Sequence, residues 1–142
     1  ESEVMNYWLM KSEPETWSWD EQVKAGAKGE GWDGVRNYQA SNNMKKMKKG
    51  DLCFFYHSVK ERDVVGIVKV VKEYHPDPTD KTKRFGMVSV SAVKPLKKTV
   101  NLDQIKNDKR LQHLALVKQS RLSVMPIDKK SWTIICNLGG IK

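Results

Sequence analysis

Residues 32–40 read Trp-Asp-Gly-Val-Arg-Asn-Tyr-Gln-Ala, and residues 54–58 read Phe-Phe-Tyr-His-Ser. Gly34 allows the backbone to turn tightly, and Val35 is apolar enough to anchor that turn. The next four positions offer a cation, two amides and an aromatic ring: Arg36, Asn37, Tyr38 and Gln39. Such groups suit a planar ligand whose edge both donates and accepts hydrogen bonds. The turn therefore predicts one side of a binding pocket.

A helix and a buried strand are predicted to follow this turn. Ala40, Met44 and Met47 recur at the spacing of one helix face, which predicts a helix from Asn37 to Met47. Leu52–His57 is apolar on both faces, as expected for a fully buried strand. Polar residues emerge where that strand ends, so we predict that the turn and the strand end form the two sides of one pocket.

A simpler interpretation of the same residues is that Trp32, Tyr38 and Phe55 are core aromatics and Arg36 is a surface cation. Core packing does not call for Arg, Asn and Gln among aromatic rings, since these side chains are mostly exposed in folded proteins. The combination therefore favours a pocket over any of its members taken alone.

Length and composition predict a single domain over residues 1–142 with its own core. The longest apolar runs, Leu52–Tyr56 and Val64–Val68, are too short to span a bilayer, so no membrane partner is expected. Cys53 and Cys136 lie in apolar segments, which predicts packed thiols in an intracellular compartment, the nucleus or the cytoplasm. The three histidines lack metal-ligand spacing, so we expect no metal, and we also expect no cofactor. We further expect the protein to be a monomer.

The chain carries a formal net charge of +9. Its cations form three runs, Lys45–Lys49, Lys81–Arg84 and Lys94–Lys98. Basic clusters attract phosphate backbones, whereas the alternative is a merely solvated surface. We predict that phosphate is bound by Lys45, Lys46, Lys48, Lys49 and Arg121.

The order of the elements predicts a small, partly open, mixed β-barrel of five to six strands with short peripheral helices, of the α+β class. Helix caps are predicted at Ser18 with Glu21, at Asn101 and at Asp128. The prolines of His75–Thr79 predict a rigid loop. The predicted strands are Tyr7–Lys11, Leu52–His57, Val64–Tyr74, Phe85–Val93 and Leu122–Val124.

Five segments in this order resemble the EVE domain: residues 7–14, 32–40, 54–58, 74–79 and 121–126. The resemblance extends from Tyr7 to about Leu138, and five motifs in register are far more specific than any one of them. It implies a PUA-like barrel, related to the pseudouridine-synthase-and-archaeosine-transglycosylase, YTH and ASCH domains.

The resemblance also implies a function: a non-enzymatic reader of modified nucleic-acid bases, with modified cytosine in DNA as the leading ligand. The implied base pocket comprises Trp8, Lys11, Ser12, Trp32, Gly34, Val35, Arg36, Asn37, Tyr38, Gln39, Phe55, Tyr56, His57 and Ser58. The chain departs from the family at two places. It has Ala40-Ser41-Asn42 where Ala-Arg-Asn is common, so one cation near the pocket rim is absent, and its loop from Pro76 to Phe85 is shorter than in many relatives.

Three alternative functions are open at this point. One is an RNA-binding module of the YTH type, and another is a protein-interaction domain whose lysines bind acidic peptides. The third is a small hydrolase that uses His57 and Ser58 with Asp51 or Asp63. No Gly-x-Ser-x-Gly elbow, paired carboxylates or phosphate loop accompanies those residues, which disfavours catalysis.

Overall fold

A computed structural model describes residues 6–13, 15–26, 29–58, 62–119 and 121–141. Its six strands are β1 Tyr7–Ser12, β2 Glu30–Gly31, β3 Leu52–His57, β4 Asp63–Pro76, β5 Gly86–Asn101 and β6 Val124–Ile127. They form one sheet in the order β2-β5-β4-β3-β1-β6. β1 pairs parallel with β3, whereas every other pairing is antiparallel. The prediction of a mixed, partly open sheet is therefore confirmed.

The helices are short and lie around this sheet. They are α1 Trp19–Lys24, α2 Tyr38–Lys46, α3 Leu102–Lys106, α4 Ala115–Lys118 and α5 Lys129–Leu138, with a 3-10 turn at Lys109–Leu111. All three predicted caps are confirmed: Ser18 and Glu21 form a reciprocal capping box, and Asn101 and Asp128 accept from backbone N–H groups at N3. Asn37 caps α2, because its Oδ1 accepts from the Ala40 N–H at 2.9 Å.

Three strands, β4, β5 and β6, extend beyond their predicted ends because each of them contains a proline that the sequence prediction placed outside the strand. The last strand begins at Val124, not Leu122, and continues through Pro126 to Ile127. β6 is an edge strand, where a missing N–H removes no ladder bond from the sheet interior. β4 runs on to Pro76, which pairs with Gly86, and β5 continues past Pro95 as far as Asn101.

The two faces of the central strands pack against different aromatic residues. Phe54 stacks on Trp132 of α5 with ring centroids 3.9 Å apart. Its neighbour Phe55 meets Trp19 and Trp32 edge-on, at 5.5 and 5.4 Å, on the opposite face. Successive side chains of a strand alternate in this way.

Gly66 of β4 is required by the position of α1. A Cβ at Gly66 would lie 2.5 Å from the Trp19 ring, so only glycine allows this ring to rest on the strand. The prediction of packed thiols is also confirmed, since Cys53 and Cys136 are both buried and unbonded to each other. Burial raises the pKa of both thiols, that of Cys136 to about 11.

Candidate functional site

A cavity of about 570 Å³ opens where β1 ends and residues 32–36 pass across it. Its size lies within the range of about 300–1,000 Å³ that is usual for small-ligand pockets. The lining residues are Lys11, Ser12, Glu13, Thr16, Trp17, Glu30, Gly31, Trp32, Asp33, Gly34, Val35, Arg36 and Ser123.

Two tryptophans supply the apolar walls of the cavity, and both are held in place by hydrogen bonds. The Trp32 backbone N–H donates to Val88 O at 2.8 Å, and its ring is only 8% exposed. The Trp17 indole N–H donates to Gln22 Oε1 at 2.8 Å, and buried Gln22 donates in turn to Val90 O at 3.0 Å. The walls are therefore fixed to β5 before any ligand arrives.

A single buried carboxylate, Asp77, fixes the turn that carries Gly34 and Arg36. Asp77 Oδ2 accepts from the Gly34 N–H at 2.8 Å and from Arg36 Nη1 at 3.1 Å. Its Oδ1 accepts from the Thr79 N–H at 2.7 Å and from Thr79 Oγ1 at 2.6 Å. Arg36 Nη2 completes the set by donating to Thr79 Oγ1 at 3.0 Å.

These bonds determine the protonation of Asp77 and the shape of the turn. Burial alone raises the pKa of Asp77, but the hydrogen bonds from Thr79, Gly34 and Arg36 outweigh it and leave the pKa below its ordinary value. Gly34 has a φ of 80°, which a residue with a Cβ adopts only at a cost. The turn is thus held around a permanent negative charge.

Asp33 is the opposite kind of carboxylate, because it is exposed at the cavity and accepts no hydrogen bond from Gly34 or Arg36. Partial burial raises its pKa, repulsion from Asp77 and Glu30 adds to the shift, and Arg36 opposes it. Across the cavity, partial burial lowers the pKa of Lys11. The cavity therefore presents acceptors and donors around aromatic walls, as a planar heteroaromatic ring requires.

Six of the residues predicted from the sequence line this cavity: Lys11, Ser12, Trp32, Gly34, Val35 and Arg36. Two more lie directly behind the wall. Phe55 is fully buried against Trp32, and His57 accepts through Nε2 from the Trp19 N–H at 3.1 Å. Phe55 and His57 therefore support the cavity without lining it.

Trp8, Tyr56 and Ser58 do not line the cavity, contrary to the expectation from the sequence. The Trp8 indole N–H donates to Asp51 Oδ2 at 3.1 Å within the core. Tyr56 follows Phe55 along β3 and so faces the other side of the sheet, where the Lys11 Nζ lies 5.7 Å from its ring. Ser58 is attached to the end of β1, since its N–H donates to Ser12 O at 2.9 Å.

The run from Arg36 to Gln39 is divided by the start of α2. Arg36 remains in the cavity, but the Tyr38 ring is 61% exposed and packs on Phe85. Asn37 and Gln39 line a smaller cavity of about 320 Å³. Its other lining residues are Lys118, Gln119, Arg121 and Leu122. Consecutive residues of a helix start point in different directions, so four neighbours cannot share one pocket.

Sequence reasoning missed several residues that build the site: Glu13, Trp17, Glu30, Asp77 and Ser123. For Asp77 a signal existed, since an Asp two residues before Thr in a proline-containing turn is typical of side chains that bond their own backbone. Nothing local indicated that this turn lies beside Gly34. The predicted phosphate ligands Lys45, Lys46, Lys48, Lys49 and Arg121 are all exposed, and their role stays a prediction.

Over the described ranges, no group of three or more His, Cys, Asp or Glu residues is placed to hold a metal ion. Across the same part of the chain, no helix is both long and apolar enough to cross a membrane.

An open, mixed sheet with short helices around it and a cavity with aromatic walls and a polar rim defines a small α+β domain with a candidate ligand pocket. The model of the EVE domain family matches residues 6–138, and this chain belongs to that family. The resemblance seen in the five sequence motifs is thereby confirmed.

The chain is similar to several known proteins over nearly all of its length. It is 36% identical to mouse thymocyte nuclear protein 1, over 95% of this chain and 74% of that protein. A crystal structure from Agrobacterium tumefaciens superposes with a TM-score of 0.94 at 46% identity, covering 96% of this chain and 94% of the other. Human THYN1 in complex with DNA that contains 5-methylcytosine superposes with a TM-score of 0.87 at 32% identity, covering 96% and 99%.

A more distant structure supports the fold alone. The YTH domain of Zygosaccharomyces rouxii MRB1, in complex with N6-methyladenosine RNA, superposes with a TM-score of 0.57 at 16% identity, covering 99% of this chain and 90% of that one. The fold is therefore that of the PUA-like domains, to which the human THYN1 and YTH neighbours belong.

Proposed function

We propose that this chain is a DNA-binding module that takes one modified cytosine out of the helix and holds it in the 570 Å³ cavity. The observation that carries the proposal is the human THYN1 complex with DNA containing 5-methylcytosine, a protein similar to this chain over 96% of its length. A base must leave the stack before a closed pocket can surround it.

The walls of the cavity suit this ligand. Trp17 and Trp32 offer flat apolar surfaces, and both are anchored to β5 through hydrogen bonds. Stacking a base on an aromatic side chain contributes about 1–3 kcal/mol. Since Gly34 and Arg36 are held by Asp77, little ordering of the protein is needed on binding.

The rim of the cavity suits the polar edge of cytosine. The exocyclic amino group of cytosine donates hydrogen bonds, and carboxylates are its usual acceptors. Asp33 is an exposed carboxylate that lines the cavity and interacts electrostatically with Arg36, whereas Asp77 has its oxygens engaged by Gly34, Arg36 and Thr79. In this proposal Asp33 accepts from the amino group, and Arg36 donates to the ring nitrogen or the carbonyl oxygen.

The test is a set of matched oligonucleotides that differ only at one central base. Binding is measured by fluorescence anisotropy for cytosine, 5-methyl-, 5-hydroxymethyl- and 5-carboxylcytosine, and N6-methyladenine, in DNA and in RNA. We expect a modified cytosine in DNA to bind most tightly. Equal affinity for all marks would overturn the proposal, and preference for a marked RNA would establish the YTH-like alternative.

Asp33→Ala tests whether the cavity is the reading site. The side chain is exposed and bonded to neither Gly34 nor Arg36, so its removal should leave the fold intact. We expect loss of the preference for the modified base with retention of weak, salt-dependent binding, because phosphate contacts position the ligand while base contacts specify it. Lys45→Ala, on the outside of α2, serves as the matched control and should preserve the preference.

We propose further that the chain is not an enzyme. His57 Nε2 is occupied by the Trp19 N–H, and Asp51 Oδ2 accepts from Trp8 and from the Lys48 N–H at 2.9 Å. The two groups therefore serve the core rather than Ser58. We expect a marked oligonucleotide to remain chemically unchanged after binding, as measured by mass spectrometry.

The proposal also covers the cellular compartment, the oligomeric state and the phosphate contacts of this chain. Relatives carry the name of a nuclear protein, and we place this chain in the nucleus or cytoplasm as a monomer. Its exposed cations Lys45, Lys46, Lys48, Lys49 and Arg121 would contact phosphates. Size-exclusion chromatography coupled to light scattering, with and without DNA, measures the oligomeric state.

A further inference from the structure

Two aromatic rings lie at the surface beside the cavity and are not part of its lining. Tyr38 and Phe85 are in contact, with ring centroids 4.9 Å apart and planes inclined by 41°. Tyr38 is 61% exposed, the one aromatic among the large apolar side chains found exposed in the described part of the chain. Arg36 connects the pair to the cavity, since its Cζ lies 5.9 Å from the Phe85 centroid and its side chain lines the cavity.

The loop that carries Phe85 is rigid, and its cations face outward. Buried Asp80 accepts from the backbone N–H groups of Phe85 at 2.7 Å, Arg84 at 3.0 Å and Thr82 at 2.9 Å. The two carboxylates of this loop, Asp77 and Asp80, are both buried. Lys81, Lys83 and Arg84 remain exposed around Phe85.

The helix that carries Tyr38 adds a further cation on the same side. Lys45 follows Tyr38 by seven residues, which is two turns along one face of α2. Its Nζ lies 5.5 Å from the ring centroid of Tyr74. The first turn of α2 contains no acidic residue. The aromatic pair is therefore bordered by positive charge along both the loop and the helix.

We propose that Tyr38 and Phe85, hereafter the aromatic platform, stack the base of the nucleotide adjacent to the one held in the cavity. This inference rests on the proposed function and adds a second subsite to it. A base that leaves a helix deprives its neighbours of a stacking partner, so an aromatic surface beside the pocket offers a replacement. Lys81, Lys83 and Arg84 take the phosphates on either side of that nucleotide.

The charge pattern selects a nucleotide as the occupant. An apolar peptide segment would gain no electrostatic attraction from three exposed cations close to one ring. A nucleotide has both a π-face and a phosphate, and the platform offers an aromatic face and cations on one loop and one helix.

The test combines Tyr38→Ala with an oligonucleotide that lacks the flanking base. DNA with one central 5-methylcytosine is compared with the same strand carrying an abasic site at the 5′ or the 3′ neighbour. Tyr38→Ala is expected to weaken binding of the intact DNA about 5- to 150-fold. An abasic site on one side should weaken wild-type binding similarly, and the two changes together should cost little more than either alone.

Tyr38→Phe is the matched control, because it keeps the ring and removes only the hydroxyl. It should bind the intact DNA within about twofold of wild type, since stacking needs only the aromatic face. A folded Tyr38→Ala protein with wild-type affinity would overturn the platform. So would a double change whose fold loss of affinity equals the product of the losses from Tyr38→Ala and from the abasic site. In the first case Tyr38 only shields Phe85, and the variant changes thermal stability alone. In the second case the affinity lost on Tyr38→Ala does not come from stacking of the flanking base.

Failure of the platform and failure of the proposed function are distinguishable. Tyr38→Ala should keep the ratio of affinities for methylated and unmethylated DNA, whereas Asp33→Ala should lose it. If the wild type binds methylated and unmethylated DNA equally well, the proposed reading function is wrong. Coupling between Tyr38→Ala and the abasic site on unmarked DNA would still establish the platform in that case. Absence of binding to every oligonucleotide would overturn both proposals.

Discussion

Asp77 and Asp33 both interact with Arg36, and the protein uses the two carboxylates in opposite ways. Asp77 is 3% exposed and accepts hydrogen bonds from Gly34, Arg36 and Thr79, which together keep its pKa low. Asp33 faces the cavity, and burial together with its acidic neighbours raises its pKa. One charge is satisfied by the fold, and the other is left for a ligand. Preorganised sites commonly separate these two roles.

The largest effect should come from removing the structural carboxylate. Asp77→Ala leaves the Gly34 N–H and part of the Arg36 guanidinium without acceptors, which should lower the free energy of unfolding by about 2–4 kcal/mol. Urea denaturation followed by tryptophan fluorescence measures this loss. An effect below that of an exposed control such as Asp20→Ala would show that Asp77 does not hold the turn.

Removing the ligand-facing carboxylate should separate binding from stability. Asp33→Ala is expected to reduce discrimination in favour of modified cytosine by about 1–3 kcal/mol, the usual contribution of a base-edge contact. The melting temperature should stay close to that of the wild type. If Asp33→Ala unfolds the protein as Asp77→Ala does, the distinction between the two groups is wrong.

Acid should weaken the loop that ends at Phe85. Hydrogen bonds from Thr82 and from backbone N–H groups lower the pKa of Asp80 from 3.8 to about 2, against a smaller opposing effect of burial. A carboxylate with a depressed pKa stabilises the fold above its ordinary pKa, and this contribution disappears as the pH falls through the depressed value. The difference in melting temperature between wild type and Asp80→Asn should therefore be largest at pH 7 and shrink as the pH falls from about 4 towards 2.

The smallest effect should have the opposite sign. The folded protein raises the pKa of Asp33, so its ionised form costs some stability at neutral pH, and this cost disappears as the pH falls and the group is protonated. Asp33→Asn should therefore raise the melting temperature slightly at pH 7 and change it less under acid. Calorimetry at the two pH values checks this, and a decrease at pH 7 would contradict it.

Local patterns in the sequence were sufficient for much of the fold. The three caps and the α2 stripe follow from contacts between residues a few positions apart, and all were predicted correctly. β6 was misplaced, because the tolerance of Pro126 depends on its strand lying at the sheet edge. That position is a property of the assembled sheet and leaves no local mark.

The cavity was only partly predictable for a related reason. Residues 32–36 could be placed at a pocket from their chemistry, but the contributions of Trp17 and Asp77 depend on pairings between distant segments. Tyr38 was assigned to the pocket because it is adjacent to Arg36 in sequence. Its exposed position follows from the direction in which the first residue of α2 projects.

The position of β1 has a consequence for how the chain folds. β1 lies between β3 and β6, and it pairs Tyr7 with Ile127, near the far end of the sequence. During synthesis β1 must therefore wait until residues 124–127 have left the ribosome before its second neighbour is available. Such non-local pairing slows folding, because the chain loses the entropy of loop closure before the stabilising contacts between the strands form. Until β6 arrives, β1 presents an open hydrogen-bonding edge, the feature that makes nascent sheets prone to associate with one another.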